Sequence, residues 1–175
     1  MIIDFVKVVP NPTIQDVYMD TMYLASLVKR SYDPDHIVGV SRGGLIPAVI
    51  FSHMMNTPLV PVVYSSAEGN GDDKAQTSLK NLPKFKKGDK ILIVDDICDS
   101  GNTLKALVEF YRSKEVIVET AVLYYKDKWP TLSITDVKHG FYPNYFIKRV
   151  GIDDPWIIFP WEDFKSSLLQ MKVQD

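Results

Sequence analysis

One stretch of the sequence, residues 91–103, constrains the fold more than any other. It reads Ile-Leu-Ile-Val-Asp-Asp-Ile-Cys-Asp-Ser-Gly-Asn-Thr, an apolar run followed by three carboxylates and a small polar turn. Consecutive branched apolar residues are typical of a strand buried on both faces, as in a parallel sheet. The pattern therefore predicts a strand over Ile91–Val94, an acidic loop, and a helix capped by Asn102 or Thr103 that runs to Arg112.

The turn suits an anion, whereas the acids suit a cation or hydroxyl groups. A glycine-containing turn before a helix directs backbone N–H groups and the positive end of the helix dipole at one point, where phosphate binds. Asp95, Asp96 and Asp99 would repel that phosphate by up to roughly 4 kcal/mol per close pair near the surface. A sugar phosphate with a free diol and bound Mg²⁺ satisfies both sets of groups. The alternative is a capped turn with solvated acids, which needs no pair of adjacent aspartates.

This stretch resembles the phosphoribosyl pyrophosphate motif of the type I phosphoribosyltransferases: an apolar strand, two acids, two variable residues and then Asp-Ser/Thr-Gly-x-Thr. The resemblance implies their α/β fold, a mainly parallel sheet flanked by helices with a small C-terminal hood. It implies that Asp95 and Asp96 contact the ribose hydroxyls, directly or through Mg²⁺. The residues implied to surround the 5′-phosphate are Asp99, Ser100, Gly101, Asn102 and Thr103.

A second strand, loop and helix unit precedes this motif. Residues 37–40 form an apolar run, residues 41–44 read Ser-Arg-Gly-Gly, and Leu45–Met55 is a helical stretch. Glycines let a backbone approach an anion closely, and an arginine offers a planar, bidentate donor for phosphate oxygens. The resemblance implies that residues 41–44 are the pyrophosphate-binding loop of the xanthine-guanine type, with a cis peptide bond expected between the first two of them. The residues implied to bind here are Ser41, Arg42 and Gly43.

Other patterns complete the predicted core, about residues 13–128. Thr13 with Asp16 is expected to open a first helix, and Pro61 is expected to place the strand Leu59–Val63 at a sheet edge or at a bulge. Val116–Tyr125 is a further predicted strand, with Lys126 just past its end. Three strands thus bring Arg42, the acidic loop and Lys126 to their carboxyl ends, where open α/β sheets bind ligands.

The resemblance also assigns a base-binding hood, about residues 129–164. It implies that Lys126 donates to the purine O6, that Trp156 stacks on the base and that the Ile157 backbone contacts the base edge. Glu162 stands where the xanthine-guanine enzymes have aspartate. The alternatives are a solvated lysine at a strand end and tryptophans that only pack the hood.

A long polar segment, about residues 64–82, corresponds to the family's flexible loop, which closes over the reaction centre and excludes water. Many relatives carry a Ser-Tyr pair in this loop, whereas here Ser66 is followed by Ala67. The resemblance therefore does not imply how this loop closes.

Composition narrows the remaining classes. A chain of 175 residues with 46% hydrophobic content predicts a single domain over residues 1–175, and a net charge of −2 argues against nucleic acid as a partner. No window reaches membrane-spanning length and the N-terminus lacks a basic leader, so we expect a cytoplasmic protein that does not bind membranes. The one cysteine, Cys98, excludes an internal disulfide.

The resemblance to the type I phosphoribosyltransferases, which these features support, implies a purine salvage enzyme. It would transfer the 5-phosphoribosyl group from phosphoribosyl pyrophosphate to N9 of guanine, xanthine or hypoxanthine, giving the nucleoside 5′-monophosphate and pyrophosphate, with Mg²⁺ as cofactor. Asp99 and Arg42 are the expected catalytic residues and Asp95 and Asp96 the expected metal ligands. Relatives are usually dimers or tetramers, so we expect a homo-oligomer. The alternatives are a phosphoribosyl pyrophosphate-sensing regulator on the same fold and a phosphoribosyltransferase for adenine or a pyrimidine.

Overall fold

Strands and helices alternate along most of the chain in the computed structural model, which describes residues 11–64, 82–127, 141–151 and 153–162. The elements in chain order are α1 (Ile14–Lys29), β1 (His36–Ser41), α2 (Leu45–Met55), β2 (Leu59–Val63), β3 (Lys90–Cys98), α3 (Asn102–Arg112), β4 (Ile117–Asp127) and β5 (Tyr145–Gly151). The predicted flexible loop lies outside the described residues except at its two ends, Tyr64 and Leu82.

The five strands form one sheet in the order β2-β1-β3-β4-β5, and every neighbouring pair is parallel. This confirms the predicted α/β fold with a parallel sheet. Pro61 lies on the edge strand β2, as expected, because proline has no backbone N–H to donate to a neighbouring strand. The central strands β1 and β3 each lead directly into a helix, so the two predicted strand, loop and helix units lie side by side.

Helices cover both faces of the sheet. Neighbouring residues along the strands point to opposite faces, so Ile37 packs in the cluster that includes α1 and α2, whereas Val38 packs in the cluster that includes α3. Both are fully buried, which explains the continuous apolar runs in the central strands. The result is a three-layer arrangement, with the sheet between two layers of helices.

The helix starts were predicted with mixed success. Thr13 and Asp16 form the expected capping box, with the Asp16 N–H donating to Thr13 Oγ1 at 3.1 Å and the Thr13 N–H donating to Asp16 Oδ2 at 2.9 Å. The prediction that Asn102 or Thr103 caps α3 is wrong. The cap is Gly101, whose φ of 74° lies in the left-handed region that glycine adopts without a steric penalty.

Two strands are longer than the sequence pattern predicted. Asp95 and Asp96 belong to β3 rather than to a loop, and Lys126 lies inside β4 rather than just past its end. The reason is pairing: β3 stays paired with β4 as far as Cys98 and Tyr125, and β4 stays paired with β5 as far as Asp127, beyond the apolar runs at their starts.

Strand β5 was not predicted. Residues 145–151 were assigned to the hood, whereas they form the edge strand beside β4. Lys148 and Arg149 interrupt the apolar run, which removes the usual sign of a buried strand. Among the described helices, none combines the length and apolar character needed to cross a membrane.

Candidate active site

A cavity of about 120 Å³ opens at the carboxyl end of β3, where that strand gives way to α3. Its lining residues are Asp95, Ile97, Cys98, Asp99, Ser100, Gly101, Thr103 and Leu104. Five of these were predicted as ligand-binding residues, whereas Ile97, Cys98 and Leu104 were not. These three supply apolar walls of the cavity, and they were not predicted because the neighbouring acidic and polar residues carried the motif.

Two adjacent carboxylates, Asp95 and Asp96, follow the apolar run of β3. The Asp96 N–H donates to Asp95 Oδ1 at 3.0 Å, and the Ile97 N–H donates to Asp96 Oδ1 at 2.8 Å. Burial, reinforced by the charge of Asp96, raises the pKa of Asp95 well above its usual range. Burial also raises the pKa of Asp96, with a further contribution from the charge of Glu162. Among the described residues, no cation contributes to either shift, and a cation beside the pair would lower both pKa values.

The Ser-Arg-Gly-Gly loop, residues 41–44, packs directly on these acids. A Cβ atom on Gly43 would lie 1.8 Å from Asp96 Oδ2, and one on Gly44 would lie 2.8 Å from Asp95 Oδ1. No side chain fits in either place, which explains both glycines. The Ser41–Arg42 peptide bond is cis, as predicted, and the Arg42 side chain is exposed at the carboxyl edge.

The turn into α3 presents backbone donors to the cavity. The Asn102 N–H lies 3.4 Å from Ser100 Oγ, and the N-cap residue Gly101 has no side chain to cover the helix end. Phe141 packs behind this turn, since a Cβ on Gly101 would lie 2.6 Å from the Phe141 Cβ. Phe141 was not predicted, because no sequence pattern links it to the motif. The positive end of the helix dipole thus faces the cavity, as phosphate binding requires.

Lys126, Asp99 and Trp156 meet beside the cavity. Lys126 Nζ lies 3.8 Å from Asp99 Oδ1 and 5.2 Å from the centre of the Trp156 ring. The Trp156 side chain is 56% exposed, so most of its ring is open to a ligand. A cation, a carboxylate and an aromatic surface are therefore gathered at one place, as a site for a polar heterocycle needs.

The described part of the hood, residues 153–162 and here called the hood segment, is anchored in the core. Ile157 and Phe159 are 2% and 1% exposed, whereas Trp156 and Ile158 on either side of Ile157 are exposed. The segment ends in a turn in which the Phe159 N–H donates to Glu162 Oε2 at 3.3 Å and the Glu162 N–H donates to the Phe159 carbonyl at 2.9 Å. Side chains that face outward, such as Trp156, are therefore held by buried neighbours.

The structure brings the predicted site residues to one edge of the sheet, around the cavity, the glycine loop and the hood segment. Their individual roles toward ligands stay predictions.

Comparison with known proteins identifies relatives over most of the chain. Residues 13–155 match the family described as "Phosphoribosyl transferase domain". The chain is 30% identical over 127 residues to the xanthine-guanine phosphoribosyltransferase of Idiomarina loihiensis, covering 72% of this chain and 70% of that protein. It is 29% identical over 153 residues to the enzyme of the same name from Gluconobacter oxydans, covering 86% and 82%.

Solved structures give the same answer. A purine phosphoribosyltransferase from Pyrococcus horikoshii is 31% identical with a TM-score of 0.66, covering 88% of this chain and 93% of that one. A xanthine-guanine-hypoxanthine phosphoribosyltransferase from Helicobacter pylori is 25% identical with a TM-score of 0.68, covering 94% and 98%. With its sheet, its motif and these matches, the chain belongs to the phosphoribosyltransferase family and has the type I phosphoribosyltransferase fold.

Proposed function

We propose that this protein transfers the 5-phosphoribosyl group from phosphoribosyl pyrophosphate to N9 of a 6-oxopurine in purine salvage. The observation that carries the proposal is the meeting of Lys126, Asp99 and Trp156, with Lys126 Nζ 3.8 Å from Asp99 Oδ1. In a 6-oxopurine, the O6 acceptor lies next to N7. A donor and an acceptor side by side match that edge, and the exposed Trp156 ring offers a stacking surface for the base.

Each side chain then has a defined task. Lys126 donates to O6, which disfavours adenine because its amino group is itself a donor at that position. In the tautomer that carries hydrogen on N7, the N9 lone pair is free to attack C1′, and Asp99 takes the N7 proton as the bond forms. The C1′–oxygen bond breaks with its electron pair going to pyrophosphate, so positive charge develops on the sugar and negative charge on the leaving group.

The leaving pyrophosphate is assigned to the glycine loop, residues 41–44. Arg42 is exposed at that edge and has a planar set of donors suited to phosphate oxygens. The close packing of Gly43 on Asp96 places this loop next to the carboxylates. The 5′-phosphate is assigned to the turn at the start of α3, where backbone donors and the helix dipole converge.

Asp95 and Asp96 fit a magnesium site. Mg²⁺ commonly takes one or two carboxylates from the protein and completes its shell with substrate oxygens and water. Two buried carboxylates with raised pKa values need a cation in order to be charged together. When bound, Mg²⁺ would neutralise charge that develops on the pyrophosphate. The protein's own part is to hold both carboxylates at the end of β3 and to keep them packed against the glycine loop.

The names of the sequence relatives, xanthine-guanine phosphoribosyltransferases, support guanine and xanthine as first substrates to test, and the Helicobacter pylori structure adds hypoxanthine. Relatives in this family are usually dimers or tetramers, and we propose a homo-oligomer here too.

Pyrophosphate release by the purified protein with Mg²⁺ and phosphoribosyl pyrophosphate tests the proposal, with guanine, hypoxanthine, xanthine, adenine, uracil and orotate compared in parallel. We expect release with at least one 6-oxopurine, lost on chelation of the metal. Lys126→Met should reduce 6-oxopurine use selectively, whereas Lys105→Met, which changes an exposed lysine on α3, should match the wild type. Silence with every base, together with measurable binding of phosphoribosyl pyrophosphate, would instead indicate a regulator.

A further inference from the structure

A buried ion pair lies outside the site described above. Lys148 on β5 is only 5% exposed, and its Nζ is hydrogen-bonded to Asp20 Oδ2 on α1. The same Nζ lies 3.4 Å from the Tyr124 hydroxyl and 5.3 Å from the centre of the Tyr124 ring. Tyr124 is the neighbour of Lys148 in the register of β4 and β5. The contact therefore joins one helix and two strands beneath the carboxyl edge of the sheet.

This lysine is kept charged. Burial by itself lowers the pKa of Lys148, but the hydrogen bond to Asp20 and the neighbouring Tyr124 outweigh burial, so the pKa is raised overall. A buried ion pair is weak evidence for stability, because the loss of hydration offsets the attraction and apolar residues often serve as well. The buried residues on this face of the sheet are mostly apolar, so the contact that distinguishes Lys148 is the one with Tyr124.

Tyr124 supports the hood segment from below. Its fully buried ring meets the Phe159 ring edge-on, with centres 5.5 Å apart. Phe159 in turn stacks on Trp161 at 4.8 Å, and its N–H donates to Glu162. Each of these contacts restricts the position of the hood segment.

The same strand touches the hood segment a second time. Lys126 follows Tyr124 by two positions on β4, and its Nζ lies over the Trp156 ring at 5.2 Å. Strand β4 thus contacts the segment at Trp156 and at Phe159, one at each side of the buried Ile157. Lys148 contacts Tyr124, the residue that makes the second of these two contacts.

We propose that Lys148 and Asp20 are positioning residues for the purine: they hold Tyr124 so that the hood segment presents Trp156 at the correct height above Lys126. This rests on the proposed function, since it assumes that the base binds between these two side chains. Neither residue lines the cavity or belongs to the residues assigned to the two substrates. Loss of the pair should therefore affect binding of one substrate and not of the other.

The principal variant combines Asp20→Asn with Lys148→Met, which removes both charges together and avoids leaving one of them buried alone. The matched control is Lys87→Met with Glu115→Gln, which removes an exposed ion pair whose side chains are 73% and 64% accessible. A second variant, Phe159→Leu, breaks the ring contact with Tyr124 but keeps an apolar side chain in the core. It tests the same link if the first variant folds poorly.

We expect KM for the 6-oxopurine to rise about two- to tenfold in both test variants, the range expected for loss of one aromatic contact. KM for phosphoribosyl pyrophosphate should stay within about twofold of the wild-type value. Equal changes in both KM values, or none, would overturn the proposal. If KM for the 6-oxopurine rises only with Phe159→Leu, the contact between Tyr124 and Phe159 affects base binding but Lys148 and Asp20 do not, and the proposal is overturned.

Amide hydrogen exchange provides a readout that does not depend on turnover. In the double variant we expect faster exchange across residues 153–162 and unchanged exchange across residues 95–103, which the pair does not contact. Uniform acceleration in both regions would mean that the pair only stabilises the fold. If the wild-type protein turns over no base, the proposed function fails, while this exchange pattern still decides whether Lys148 positions the hood segment.

Discussion

At the scale of single residues, the site concentrates charge where burial makes charge costly. Asp96 is 7% exposed, and burial raises the pKa of both Asp95 and Asp96. Residues kept for ligand binding are often a burden on the unliganded fold, since their charges are compensated only when the ligand is bound. The two acids should therefore lower stability in the absence of metal and substrate.

Asp95→Asn should stabilise the unliganded protein at neutral pH. The amide keeps the oxygen that accepts the Asp96 N–H but carries no charge. A carboxyl whose pKa is raised in the folded state contributes most to the free energy of unfolding at low pH. It loses that contribution as the pH rises through the pKa of the folded state. The gain of the variant over the wild type should thus be largest at neutral pH and shrink as pH falls.

Thermal melts from pH 4 to pH 8 measure this gain, with about 2–4 °C in Tm expected for each kcal/mol in a chain of this size. Asp33→Asn, at an exposed position, is the control and should melt like the wild type throughout. A variant that is less stable than the wild type at neutral pH would show that the Asp95 charge does not destabilise the unliganded fold.

Asp99→Asn should reduce turnover by about 10² to 10⁴, the usual range for loss of a general acid or base. The amide preserves size but cannot accept the N7 proton, so turnover should fall while the protein still folds. Single-turnover kinetics with guanine, together with a thermal melt, separates the two effects. Unchanged turnover would remove Asp99 from the mechanism.

Sequence reasoning worked best for residues whose chemistry is local. The acids, the glycine loop and the turn residues 99–103 could be predicted because a short motif carries them, and Lys126 because it follows an apolar run. Phe141, Tyr124 and Lys148 could not be predicted in the same way. Their positions beside the site depend on how distant segments pack, and a lysine inside a strand reads as a surface residue.

At the scale of elements, the site depends on how closely the glycine loop approaches β3. Gly43→Ala would place a Cβ 1.8 Å from Asp96 Oδ2, so the loop or the carboxylate must move. We expect KM for phosphoribosyl pyrophosphate to rise by at least about tenfold, since small displacements of binding groups have large effects on rate and affinity. Steady-state kinetics with saturating 6-oxopurine measures this.

The control for that substitution is Gly88→Ala, at the turn before β3. Gly88 has a φ of 88° and no atom within 4 Å of an added Cβ, so alanine there strains the backbone without touching the site. It should lower stability by about 1 kcal/mol and leave KM unchanged. Similar KM values for both variants would show that the close approach of Gly43 to Asp96 is not required.

Element boundaries show where sequence patterns fail. The helix Leu45–Met55 was predicted at its observed bounds, since an apolar stretch follows the glycine pair; the structure shows that it ends at Asn56, whose φ of 54° is left-handed. The ends of β3 and β4 were missed, since strand pairing continues through polar residues that a hydrophobic pattern excludes. The sequence indicates β5 only weakly, because Lys148 and Arg149 interrupt its apolar run. Its position in the sheet depends on pairing with β4.

At the scale of the whole molecule, helices α1 and α2 leave an apolar surface exposed. They pack side by side on one face of the sheet. The outward apolar residues are Ile14, Tyr18, Met19 and Tyr23 on α1 and Ile46 and Val49 on α2, each 40% to 61% exposed. A helix as apolar as α2, in which only Ser52 and His53 are polar, is usually buried on most of its surface. Exposed apolar patches of this kind mark interaction surfaces.

We therefore expect a homo-oligomer that covers α2, and Val49→Lys should dissociate it. Sedimentation equilibrium should give a multiple of the 19.9 kDa chain mass for the wild type and a value close to the chain mass for the variant. The control is Ile117→Lys, at a similarly exposed apolar residue in the first position of β4, and it should keep the wild-type mass. Dissociation matters for the site because α2 follows the glycine loop directly, so a surface that holds α2 also restrains the residues assigned to pyrophosphate. A wild-type mass equal to that of one chain would show that no oligomer restrains the glycine loop. The position of the loop would then depend on its packing against Asp96.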